Sequence, residues 1–150
     1  MNTAIKIFTY HSHEYKQALQ LRDRILRKPL GLVFTEAELQ KDEHDIHFGL
    51  FNGDKIIACL TLTKTENDRM KMRQVAVDDA VQGKGFGKKL SLAAEKYAAE
   101  NGYHTMFCHA RAVAAPFYQK LGYHIIGDEF TEVNIPHFVM EKHLNGPVSW

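Results

Sequence analysis

Apolar residues alternate with other residues at Ile46, Phe48 and Leu50, and again at Ile56, Ala58, Leu60 and Leu62. A period of two marks strands with one buried face. Between them stands Asn52-Gly53-Asp54. Asn-Gly supplies the positive φ angles of a tight hairpin turn, so the spacing predicts two antiparallel strands. Ile5 to Thr9 reads as an opening strand. Tyr15, Ala18, Leu19, Ile25 and Leu26 recur at helical spacing behind a capping Ser12, and Pro29 and Gly31 end that helix. Thr35 with Glu38 three residues on has the form of a capping box, which predicts a short second helix. Met70 to Val77 reads as a long strand ending in Val75-Ala76-Val77. A glycine-rich turn and a helix to Asn101, stopped by Gly102, follow. Thr105 to Ala110 is a strand, and Pro116 sits in the first turn of a helix that stops at Gly122. Tyr123 to Ile126 and Phe138 to Lys142 are the closing strands. The order predicts an α/β fold: a mixed sheet with helices on both faces.

At 150 residues and 45% hydrophobic, the chain suits one domain with a substantial core, about residues 3–144, and a loose tail over 145–150. Lys+Arg of 19 against Asp+Glu of 18 argues against binding nucleic acid through bulk charge. No apolar run approaches the ~18 residues of a membrane span. The first ten residues lack the pattern of a signal peptide, so a cytoplasmic protein is expected. Cys59 and Cys108 lie inside apolar strand-like segments and read as buried reduced thiols. His11/His13 and His44/His47 lack the companions of a zinc site, so no metal is expected.

The chemistry concentrates in Val75 to Leu90, where an apolar strand runs into Gln82-Gly83-Lys84-Gly85-Phe86-Gly87-Lys88-Lys89 and a helix begins. Glycines let the backbone turn sharply and bring N–H groups close to a ligand. The free N–H groups and dipole of the new helix favour an anion, typically a phosphate. Lys84, Lys88 and Lys89 crowd that helix start, and each opposes the dipole by ~0.3–1 kcal/mol unless an anion reverses the sign. The P-loop pattern fails, because Gln82 stands where its first glycine belongs and Lys89 where Ser or Thr belongs. The dinucleotide pattern also fails, at Lys88 in one register and at Leu90 in the other.

Gln82, Gly85 and Gly87 do fit Gln-x-x-Gly-x-Gly, and there the chain resembles the GNAT superfamily of acyl-CoA-dependent N-acyltransferases. A second stretch, Ala114-Ala115-Pro116-Phe117-Tyr118-Gln119-Lys120-Leu121-Gly122-Tyr123, is similar to that family's Ala-x-x-Phe-Tyr-x-Lys-x-Gly-Phe/Tyr helix. The first helix and Ile135-Pro136-His137 resemble a small bacterial branch. The resemblance implies acetyl-CoA as co-substrate. It places the diphosphate on Gln82, Gly83, Lys84, Gly85, Phe86, Gly87 and Lys88, and the pantetheine arm along Val75, Ala76 and Val77. Where many relatives carry Asn this chain has Arg111, a residue able to meet a CoA phosphate. Phe117 is suited to pack on the cofactor. Homodimers through the C-terminal strands are common in the family.

The reaction this implies moves an acetyl group directly to a primary amine of a small molecule. It needs donors for the carbonyl oxygen, which backbone N–H groups near Val75 to Val77 can supply. It needs an acid for the departing thiolate. Tyr118 holds that position in the family, and a phenol has suitable basicity. It needs a base, for which His137 is the first choice because imidazole exchanges protons near neutrality. Glu129, Glu132 or a water relay are the alternatives. Two other functions fit the same residues. One is acetylation of a protein lysine or N-terminus, guided by the acidic stretch Glu36, Glu38, Asp42, Glu43 and Asp45. The other is an acyl-CoA-binding module without catalysis.

Overall fold

The computed structural model describes residues 2–145, so most of the tail expected over 145–150 lies outside the described residues. Seven strands form a mixed sheet: β1 (Thr3–Phe8), β2 (Ile46–Asn52), β3 (Lys55–Lys64), β4 (Arg69–Val77), β5 (Thr105–Arg111), β6 (His124–Glu132) and β7 (Ile135–His143), hydrogen-bonded in the order β1-β2-β3-β4-β5-β7-β6. The α-helices are α1 (His13–Arg22), α2 (Glu36–Gln40), α3 (Phe86–Glu100) and α4 (Ala115–Lys120). This is the α/β class and the order of elements that the periodicity predicts. None of the described helices is long and apolar enough to cross a membrane. The chain forms two compact units: residues 1–63 with 73–94, and residues 64–72 with 95–150. β4 and α3 each contribute to both.

In the first unit, β1, β2 and β3 form an antiparallel meander. The Ser12 hydroxyl accepts the Tyr15 N–H at 3.0 Å and starts α1 as expected. The helix widens into a π turn over Asp23–Arg27, tightens to a 3-10 turn over Lys28–Leu30, and ends at left-handed Gly31. The capping box at Thr35 and Glu38 is present in both directions. The hairpin is displaced by one residue from expectation. Asn52 pairs with Lys55, so Gly53 and Asp54 form the turn and Gly53 alone takes positive φ. Phe8, Tyr15, Ala18, Leu21, Phe51, Ile56, Cys59 and Ala76 make a buried cluster.

Part of the acidic stretch is folded inward. Asp42 is fully buried, accepting from the Tyr15 hydroxyl at 2.6 Å, Arg22 at 2.8 Å and Arg73 at 3.1 Å. Arg73 also holds Asp45 at 2.6 Å, and Arg27 holds Glu38 at 2.9 Å. Burial pushes the Asp42 carboxyl upward, but Arg22, Arg73 and the tyrosine hydroxyl outweigh it and hold the group below the usual carboxylate range. Asp42 and Asp45 are therefore committed inside the fold and Glu38 is paired at its surface, while Glu36 and Glu43 are exposed.

In the second unit, β5 pairs antiparallel with β7 from Thr105↔His143 to Arg111↔His137. Met106, Cys108 and Ala110 are buried on one face of β5, and Phe107, His109 and Arg111 project from the other. Tyr118, Leu121, Tyr123 and Met140 join the buried side. Glu95 on α3 accepts from the Tyr123 hydroxyl at 2.9 Å and from Lys142 at 2.7 Å. The closing strands are longer than expected. Glu129 and Glu132 lie within β6 and His137 within β7, all three outside the expected limits at Ile126 and Phe138. A bulge between Ile126 and Phe130, with Gly127 at positive φ, lets β6 continue past its apolar start.

The β6–β7 turn is Val133-Asn134, and both residues have positive φ, 46° and 62°. A β-branched residue is poorly suited to that region. Replacing Val133 with Asn, which tolerates it, should stabilise the protein by about 1 kcal/mol. Urea denaturation should show a higher midpoint at unchanged slope. An unchanged or lower midpoint would mean that the turn stores no strain.

Candidate active site

At the end of β4, Gln74 has φ 56°, a left-handed conformation inside a strand. Such a residue cannot continue regular β geometry, so the backbone changes direction immediately before Val75-Ala76-Val77. Asp78 then pins the strand end. Its N–H donates to the Ile57 carbonyl at 2.9 Å, its carboxylate accepts the Ala80 N–H at 3.0 Å, and Arg24 lies 3.1 Å away. The Ala80 N–H, followed by contributions from Asp79, Arg24 and Lys55, overcomes burial and holds the Asp78 carboxyl below its ordinary value. Neither Gln74 nor Asp78 was singled out from the sequence. Gln gives no signal for a positive φ, although Asp78 has the form of a turn-capping residue.

The loop that follows has the geometry its glycines suggested. Gly83 and Gly85 take φ of 80° and 83°, and nothing lies within 4 Å of where a Cβ would stand on either. The Gln82 amide donates to the Val77 carbonyl at 3.1 Å and ties the loop back to the strand. Lys84 and Lys88 are exposed, while Lys89 reaches the Thr3 hydroxyl at 2.8 Å. Phe86 opens α3, and Gly87 is buried in its first turn. The first turn carries no acid. N–H groups, helix dipole and lysines thus converge on one exposed turn, the arrangement a diphosphate needs.

The second unit holds the remaining residues. Tyr118 is buried on α4, with its ring edge-on to Phe117 at 5.0 Å and to Tyr123 at 5.7 Å. Burial, with a smaller contribution from Cys108, pushes its phenol well above the ordinary range. Phe117 is more exposed than Tyr118. Cys59 and Cys108 are free, buried, and pushed up to about 12 by desolvation. Both therefore stay protonated at neutral pH and are unsuited to a covalent acetyl-enzyme step. Arg111 ends β5 opposite His137.

His137 is buried in β7. Its Nδ1 lies 2.8 Å from the Ile135 carbonyl oxygen, and its Nε2 lies 3.7 Å from Glu132 Oε2. The other carboxylate oxygen of Glu132 is 3.1 Å from His109 Nδ1. The Phe130 ring stands 5.3 Å from His109 and 5.8 Å from His137. His109 was not expected at the site. Only the β5–β7 and β6–β7 registers bring it to Glu132, across 23 residues.

A model of the acetyltransferase (GNAT) domain matches residues 31–144, which span both units. An uncharacterized N-acetyltransferase of Bacillus subtilis, YjcF, is 24% identical over 137 residues, covering 91% of this chain and 97% of the relative. An aminoglycoside 6'-N-acetyltransferase complexed with coenzyme A superposes with a TM-score of 0.80 at 16% identity, covering 97% of this chain and 99% of the other. The PaiA N-acetyltransferase of Thermoplasma acidophilum, in complex with coenzyme A, gives 0.73 at 17%, covering 95% and 99%. At those identities the two structures speak for the fold. The chain belongs to the GNAT acetyltransferase family. It is an acyl-CoA-dependent N-acyltransferase with acetyl-CoA as its donor.

Proposed function

We propose that the enzyme transfers acetyl directly from acetyl-CoA to the primary amine of a small molecule. The observation that carries this reading is the loop from Gln82 to Lys88, with two left-handed glycines, an amide tie to Val77 and a lysine-rich helix start. In this reading Gln82, Gly83, Lys84, Gly85, Phe86, Gly87 and Lys88 hold the CoA diphosphate. The backbone of Val75, Ala76 and Val77, re-aimed at Gln74, binds the pantetheine arm and the thioester carbonyl. Phe117 packs on the cofactor, and Arg111 meets one of its phosphates. Tyr118 protonates the departing thiolate, and His137 takes up the proton of the incoming ammonium.

A small acceptor is favoured over a basic peptide because Glu38, Asp42 and Asp45 are already paired with arginines. The same reading pairs two copies along β6, the edge strand, where Ile125 and Ile126 stand exposed. Free CoA release, measured against a panel of small primary amines and a lysine-rich peptide, tests the acceptor class. Turnover with at least one small amine and none with the peptide is expected. Turnover with the peptide alone would reverse the assignment.

A further inference from the structure

The contacts of His137 define the chemistry of its two ring nitrogens. A backbone carbonyl can only accept, so the 2.8 Å contact to Ile135 requires the proton on Nδ1. In the neutral imidazole Nε2 then carries a lone pair. It faces Glu132 Oε2 at 3.7 Å, beyond the reach of a direct hydrogen bond. An ionised carboxylate is acceptor-only. In that tautomer two acceptors face one another 3.7 Å apart. The other oxygen of Glu132 is engaged by His109 Nδ1 at 3.1 Å, which holds the carboxylate in that orientation. Phe130, between the two imidazoles, presents an aromatic ring to the same place. The imidazole of His137 is almost wholly enclosed, whereas Glu132 is 44% and His109 28% exposed, so the gap opens on the Glu132 side.

We propose that Glu132 Oε2 and His137 Nε2 together form the receptor for the acceptor's ammonium group, that His109 is the positioning residue which aims Glu132, and that the acceptor class is therefore an alkylamine that arrives protonated. An R–NH3+ group supplies the missing donors, one N–H to each acceptor, and its charge is matched by the carboxylate. Its first carbons lie beside Phe130, where a ring face also favours a cation. The N–H bond directed at Nε2 then breaks as Nε2–H forms. Nitrogen keeps the electron pair with which it attacks the thioester, and the imidazolium is left facing Glu132; as the C–S bond breaks the thiolate takes the Tyr118 proton, and the second N–H proton, lost as the amide forms, passes to solvent, from which Tyr118 is reprotonated. This deepens the reading of His137 as base and rests on it.

The probes are n-butylamine, protonated at neutral pH, and aniline, which is neutral there and needs no deprotonation before it attacks. Glu132→Gln should raise KM for n-butylamine about 10–100-fold, the loss expected for a charge-assisted hydrogen bond. It should leave aniline acetylation and acetyl-CoA affinity within about threefold. His109→Ala should raise KM for n-butylamine several-fold and leave kcat nearly unchanged, because it loosens Glu132 without removing it. Independently of turnover, titration with n-butylammonium chloride should move the His137 Nε2 nitrogen resonance in the wild-type protein and not in Glu132→Gln. Equal losses for both amines in Glu132→Gln, or a His137 resonance that n-butylammonium does not move, would overturn the proposal. Loss of acetyl-CoA binding in the wild-type protein would instead strike the cofactor reading, which the resonance experiment does not depend on.

Discussion

Gly85→Asp is expected to lose acetyl-CoA affinity by about three orders of magnitude. At φ 83° an L-residue at position 85 is strained, by roughly 1–2 kcal/mol. That strain is compatible with a folded protein, because nothing lies within 4 Å of the new Cβ. The loss of affinity comes from charge. A carboxylate about 4 Å from one phosphate charge is opposed by roughly 4 kcal/mol at an effective dielectric constant of ~20, and each ~1.4 kcal/mol is tenfold in Kd. Gly85→Asn is the informative partner. Asn tolerates left-handed φ, has nearly the shape of Asp, and carries no charge. Calorimetry should therefore find Asn much closer to wild type than Asp, and the gap between them should narrow as salt is raised. Equal affinities for Asp and Asn would show that no diphosphate lies at this turn.

The elements around that turn were legible because their signals are local. Ser12, Thr35 with Glu38, Pro116 and Gly122 act within a few residues of themselves, and each stands at the terminus it predicted. Gly83 and Gly85 likewise announce backbone that other residues resist. What escaped notice depends on partners distant in sequence. β6 is exposed along nearly its whole length, so Glu129 to Glu132 show no buried-exposed alternation by which to read a strand. Asp42 looks like part of a solvated acidic face until Arg22 and Arg73, 20 and 31 residues away, are folded onto it. The one-residue displacement of the β2–β3 turn follows from the pairing of Asn52 with Lys55, which the Asn-Gly pair alone does not specify. At the site the same division holds. The proposed cofactor turn is written in contiguous residues, whereas the group formed by His109, Glu132 and His137 exists only through strand register.

Tyr118→Phe should lower turnover by ~10²–10⁴-fold, the usual contribution of a positioned acid, with acetyl-CoA affinity within about twofold of wild type. The change removes one oxygen and keeps a ring that packs against Phe117 and Tyr123. The packing of the ring is therefore preserved, and a loss confined to kcat isolates the proton. Burial has raised the phenol well above its ordinary value. The sign of that shift matters in two ways. A group with a raised pKa remains protonated as pH rises, so the acid is loaded throughout the working range, and wild-type kcat should show no descending limb from Tyr118 up to at least the ordinary phenol range near pH ~10. The raised value also makes the phenol a weaker acid, so its proton is given up only to a thiolate that is itself desolvated. A more acidic ring separates this account from a packing role. If 3-fluorotyrosine, with its lower phenol pKa, is placed at position 118, kcat should rise by the modest factor a stronger acid brings, with acetyl-CoA affinity unchanged. Turnover of Tyr118→Phe within about twofold of wild type, or a kcat indifferent to the fluorine, would remove Tyr118 from the mechanism and leave water to protonate the thiolate.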